Sequence, residues 1–62
     1  MTSGERTKRF KEIVKALGDL EGLKEKENTY PNVRFIIKLL KENRFPSQEE
    51  LDFIEGIYDG TI

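Results

Sequence analysis

Reduced to apolar and polar letters, the chain repeats with helical period in three places and alternates with period two nowhere for long. Phe10, Ile13, Val14 and Leu17 stand at the i, i+3, i+4, i+7 spacing of one helical face and predict a first helix from about Gly4 to Leu17. Thr2 with Glu5 three residues on has the form of a capping box, and Gly18 supplies a stop. The next stretch, DLEGLKEKEN, is read as a short separate helical turn holding Leu20 and Leu23, with Asp19 as its cap. The alternative, a first helix running straight through, would carry Gly22 at a cost of about 1 kcal/mol relative to alanine.

A second helix is predicted from Pro31 to about Asn43 or Arg44. Pro31 belongs in a first turn, where its missing N–H does no harm, and Pro46 forbids Phe45 the helical conformation. Val33, Ile36, Ile37 and Leu40 share one face there, with Phe35 and Leu39 in a strip beside it. The third helix follows Ser47, which with Glu50 makes another capping box, and Gly60 marks its end. Leu51, Ile54 and Tyr58 lie on one face, with Phe53 and Ile57 alongside. The expected fold is therefore all-α. It is a small three-helix bundle with an extra short helical turn between helices 1 and 2, in one domain over residues 1–62. Its predicted core is Phe10, Ile13, Val14, Leu17, Val33, Ile36, Ile37, Leu40, Leu51, Ile54 and Tyr58.

Composition narrows the chemistry. The 62 residues include no cysteine and no histidine, which removes disulfides, thiolate and imidazole metal sites, and the usual nucleophile–base pairs. No apolar run approaches the roughly 18 residues a membrane span needs, and MTSGERTKRF lacks the apolar stretch of a signal peptide, so a cytoplasmic setting is expected. Neither phosphate-loop glycine pattern occurs, and the glycine in DLEGLKEKE falls too early for a calcium loop. Ser47 is accounted for as a helix cap. No catalytic residue, cofactor or metal is expected, and the chain is read as a non-enzyme.

Net charge is −1, but it is unevenly spread. Residues 1–17 carry a net of +3, residues 18–46 a net of +1, and residues 47–62 a net of −5 with no base at all. A helix-turn-helix reading of the second and third helices fails on this point. It would press Glu49, Glu50, Asp52, Glu55 and Asp59 against a polyanion.

Two kinds of surface remain. In the third helix Glu49, Asp52, Glu55 and Asp59 form an acidic stripe beside more apolar residues than one neighbour would cover. With Phe35, Phe45, Phe53 and Ile57 they are the candidate protein-interaction residues. Charge would set the orientation and rate of docking onto a basic, partly apolar partner. Against this stands the simpler reading, in which Phe53 and Ile57 pack inside the bundle and Phe45 is a hydrophobic staple on Leu51.

Lys8, Lys11 and Lys15 on the first helix, and Arg34, Lys38 and Lys41 on the second, form basic stripes that with Arg44 are candidates for DNA or RNA phosphate contact; the simpler reading is a solvated face. Phe35 and Phe45 each follow an arginine, an aromatic–basic interleaving that a base-stacking surface can use, against the simpler reading as core or staple residues. The run VRFIIKLLKENRFPSQEELDFIEGIY also resembles helical hairpins attached to some phage and DNA-processing proteins. Phe45-Pro46 and Glu50 depart from the leucine and glutamine usual there. That resemblance implies a nucleic-acid-processing setting. The first expectation is a protein-interaction module working through the acidic helix; the alternative is a nucleic-acid accessory. The charge imbalance also makes a homo-oligomer an expectation.

Overall fold

A computed structural model describes residues 2–61. Among them are four α-helices and one 3-10 turn, and no strand: α1 (Ser3–Ala16), α2 (Asp19–Lys26), the 3-10 turn (Pro31–Val33), α3 (Arg34–Lys41) and α4 (Gln48–Thr61). The all-helical expectation holds in this coarse form. The three-helix count does not, because DLEGLKEK forms a helix of 8 residues rather than a single turn.

The reason lies at Gly18 and Gly22. Gly18 takes φ +91, a left-handed conformation open to glycine, and so turns the chain sharply between α1 and α2. Gly22 then sits against the end of α1, where a Cβ would collide with the Leu17 carbonyl oxygen. The helix-propensity penalty of Gly22 is thus outweighed by a close crossing that only glycine permits. Asp19 is not the cap of α2. Gly18 holds that position without any side-chain bond, and Asp19 itself takes φ 57. Leu23, left out of the predicted core, becomes fully buried.

The α1 and α4 starts follow the sequence closely. The Glu5 N–H donates to Thr2 Oγ1 at 3.3 Å. At α4 the box is reciprocal: the Glu50 N–H donates to Ser47 Oγ at 3.3 Å and the Ser47 N–H to Glu50 Oε1 at 2.9 Å. Two of the four orphan donors of that helix end are satisfied this way. α3 ends earlier than predicted, with Glu42 as its cap. Asn43 adopts φ 56, the Arg44 N–H donates to the Leu39 carbonyl at 3.0 Å and the Asn43 N–H to the Leu40 carbonyl at 3.2 Å. This is a Schellman ending with asparagine where glycine is commonest. α4 runs past Gly60 to Thr61, whose hydroxyl donates to the Tyr58 carbonyl at 2.9 Å.

The core is Phe10, Ile13, Val14, Leu17, Leu23, Val33, Ile36, Ile37, Leu39, Leu51, Ile54 and Ile57. Leu40 and Tyr58, predicted inside, are only partly buried and pack against its edge; Leu39 and Ile57 are inside in their place. α3 packs on α2 and α4 on α1. α3 rests mainly on α2 and the 3-10 turn, and Leu39 is buried along with Ile36 and Ile37.

Candidate functional site

Two half-exposed phenylalanines mark the surfaces worth reading: Phe45 at 54% and Phe53 at 53% relative exposure.

Phe45 stands in the link between α3 and α4. It was expected to staple onto Leu51, but Pro46 is the residue immediately before the Ser47 cap, and Pro46 is buried. The Pro46 carbonyl accepts from Arg6 Nε at 3.1 Å, which ties the link to α1. Phe45 instead packs edge-on against buried Phe10, with ring centroids 6.1 Å apart. Beside it a groove of about 400 Å³ opens between α1 and the end of α3. Its floor is apolar, from Phe10, Val14, Leu39 and Leu40, and its rim carries Lys11, Lys15, Asp19, Asn43 and Arg44. The Lys11 ammonium lies 5.6 Å from the centre of the Phe45 ring, within cation–π range. Arg44 is held by Glu50 at 2.9 Å and more loosely by Glu42 at 3.8 Å.

Phe53 projects from the middle of α4 and meets Phe35 of α3 edge-on at 5.4 Å. Glu49 one turn before it, Asp52 next to it in sequence and Asp59 nearer the helix end are exposed, and a Cβ at Gly56, one turn on, would meet nothing within 4 Å. Asp52 accepts from the Gln48 amide at 3.0 Å.

The predicted acidic stripe therefore divides. Glu55 leaves it for α1, where Arg9 donates through Nε at 3.0 Å and Nη2 at 2.6 Å. That bond to Arg9 is the main reason the Glu55 carboxyl titrates below its ordinary range, and it raises Arg9 in turn. Arg9 also lies 5.7 Å from the Tyr58 ring centre, so this corner is a structural seam rather than an open face. Glu50 is lowered as well, first by the Ser47 backbone bond of the capping box. Ile57 is buried at 7% exposure, so the structure removes it from the candidate docking residues. Phe53 goes the other way: its packing inside the bundle, the simpler sequence reading, does not occur.

The basic stripes do not merge into one surface. Lys8, Lys11 and Lys15 line a shallow depression along α1 with Glu12 and Thr7. Arg34, Lys38 and Lys41 line a separate one around Ile37, with Glu27 and Glu42 among them. Arg34 is bound to Glu27 at 2.8 Å. Among the described residues the five lysines of these stripes make no ion pair.

What sequence reasoning missed is the convergence of Lys11, Lys15 and Arg44 on Phe45. The first two lay in one predicted stripe and Arg44 beside another, and only the turn of the chain at Asn43 brings them to one groove. The adjacency Arg44-Phe45-Pro46 was the available signal.

Among the described residues no group of three acids converges as a metal ion would require, and no helix is long and apolar enough to cross a membrane. No family model, curated protein or solved structure matches the chain, so the geometry above carries the functional reading alone.

Proposed function

We propose that this chain is a small non-catalytic protein-interaction module that docks a basic, partly apolar protein surface through α4, in a cytoplasmic setting. The observation that carries the reading is Phe53: a large aromatic, half exposed at 53%, in the middle of a helix whose exposed charges are all acids. An exposed aromatic anchor with acids on the same helix has the form a docking hot spot takes, with the ring supplying affinity and the charges steering and orientation. Phe35 backs the ring from α3, which limits the freedom it loses on binding. Phe45 belongs to a different surface, the basic-rimmed groove.

A photo-cross-linking residue placed at Asp52 tests this in cells. The expected result is a discrete protein adduct that disappears when Glu49 and Asp59 are both changed to lysine. An adduct indifferent to those changes, or none, removes the proposal.

The second reading, a nucleic-acid accessory, is supported by the exposed lysines Lys8, Lys11, Lys15, Lys38 and Lys41, which make no ion pair among the described residues. Amide NMR spectra recorded while short single- and double-stranded DNA is added at low and then moderate salt separate the two. Salt-sensitive shifts confined to α1 and α3 favour phosphate contact, because counterion release makes such binding fall steeply with salt. No shift at low salt eliminates it.

A further inference from the structure

The chain carries both halves of one complementary interface. On one surface lies a groove with an apolar floor at Val14 and Leu40, a wall at Phe45, and cations at Lys11 and Lys15 on α1 facing Arg44 beyond α3. On another lies Phe53, with Glu49 one turn before it and Asp52 beside it, all exposed. The two surfaces share no residue. We propose that the groove between α1 and the end of α3 receives α4 of a second copy of this chain, with Phe53 as the anchor. This rests on the reading of α4 as a docking face and names its partner.

Charge complementarity selects this occupant. Lys11 and Lys15 are exposed and make no ion pair among the described residues, so they are free to meet acids from outside. Arg44 brings a third cation, though one already engaged by Glu50. Among the described residues Asp19 is the one acid lining the groove. From Ser47 to Thr61 α4 and its cap have no base to be repelled. Unlike charges within a few ångströms of a partly desolvated aromatic contact set register and exclude wrong partners. Gly56 contributes by omission. One turn beyond Phe53 the helix presents no side chain, a Cβ there would meet nothing within 4 Å, and Gly56 lines a shallow depression beside Tyr30 and Pro31 that an approaching surface can enter.

Because the donor and acceptor surfaces differ, the contact is heterologous: each copy can offer α4 to one neighbour and its groove to another. Association should therefore grow with concentration, ending at a closed dimer or ring where the rotation between copies closes and continuing beyond it where it does not. It should also weaken with salt, since both sets of charges are exposed.

Sedimentation velocity of the full chain over a wide concentration range, at low and at high salt, tests this. The expected result is a mass that rises with concentration at low salt and returns to the monomer at high salt. Two double variants make the test specific. Lys11→Glu with Lys15→Glu closes the groove, and Phe53→Ala with Asp52→Lys removes the anchor. Each alone should associate at least about tenfold more weakly, as expected when a central aromatic or a pair of rim charges is lost. Mixed in equal amounts they should form a one-to-one dimer and nothing larger, since each supplies the half the other lacks. All four positions are exposed, and circular dichroism confirms that each variant keeps its helices.

A wild-type chain that stays monomeric at every concentration overturns the proposal, as does a mixture that remains monomeric. If the wild type is monomeric while the cross-linker at position 52 still captures another protein, self-docking falls and the α4 reading stands. If neither is seen, both fall.

Discussion

Phe45 and Phe53 are equally exposed, each packed edge-on against one other phenylalanine, yet they sit in opposite company. Phe45 has Lys11 over its ring and Arg44 beside it; Phe53 has Glu49 and Asp52. Their supports differ too. Phe10, behind Phe45, is 2% exposed and belongs to the core, whereas Phe35, behind Phe53, is only partly buried. Exposure alone therefore says little about what an aromatic does. The sign of the surrounding charge decides what each surface attracts, and the depth of the supporting ring decides what its loss costs.

The largest effect that can test this comparison comes from those supporting rings. Phe10→Ala should cost about 3–5 kcal/mol of stability, the usual penalty for truncating a core aromatic, and take the groove wall at Phe45 with it. Phe35→Ala, at the edge, should cost about 1–2 kcal/mol and leave the groove intact. Urea denaturation followed by circular dichroism gives both numbers. Equal costs would mean that the two phenylalanines rest on equivalent foundations, and the contrast drawn above would be lost.

A smaller effect sharpens the comparison on the Phe45 side. Asn43 holds a left-handed backbone at φ 56 and so directs Arg44 and Phe45 out of α3. Asn43→Ala should cost about 1 kcal/mol, because a Cβ with no local hydrogen-bonding group is disfavoured there. Asn43→Gly should be near neutral or stabilising. Because Phe53 lies on another helix, its environment should be unchanged in both variants. Aromatic NMR shifts at Phe53 that move as far as those at Phe45 would contradict this.

The sequence was most legible where chemistry is local. The reciprocal capping box of α4, the Thr2 half of the one at α1 and the stop at Gly18 follow from a few adjacent residues and are present as expected, whereas α3 stops before Asn43 and does not reach the limit that Pro46 sets. It was least legible where a distant backbone overrides a local preference. Gly22 reads as a helix breaker until the Leu17 carbonyl is seen against it, and that contact makes DLEGLKEK a helix rather than a turn. The choice between Leu39 and Leu40, and between Ile57 and Tyr58, depends on which neighbours a wide apolar face meets, which periodicity does not state. The same limit governs the candidate site. Spacing put Glu49, Asp52, Glu55 and Asp59 on one stripe, but only the fold sends Glu55 to Arg9. Likewise Arg44 is separated from Lys11 and Lys15 by about half of the chain until the turn at Asn43 assembles them.

The smallest effect separates acids that hold the fold from acids that frame Phe53. Glu50 and Glu55 both titrate below the ordinary 4.5, Glu50 chiefly through the Ser47 N–H and Glu55 chiefly through Arg9. A carboxyl lowered in the folded state adds stability above its unfolded pKa and loses it as pH falls through the folded value. Thermal stability of the wild type should thus be level from neutrality to about pH 5 and then decline. Glu55→Gln should be less stable than wild type near neutrality. The gap should close in acid, because a protonated glutamate and a glutamine are both neutral and neither attracts Arg9 as a charge. Glu50→Gln should behave alike, more weakly, since its amide oxygen can still accept the Ser47 N–H. Glu50→Gln also releases Arg44 at the groove rim, whereas Glu55→Gln should leave concentration-dependent association unchanged, because Glu55 turns to Arg9 on the side of α4 away from Phe53. Asp52→Asn should do the reverse, leaving the acid limb of stability in place and weakening association. A gap between Glu55→Gln and wild type that stayed constant with pH would show that the Glu55 charge is not what joins α1 to α4. An association that tracked Glu55 rather than Asp52 would move the docking face to the Arg9 corner.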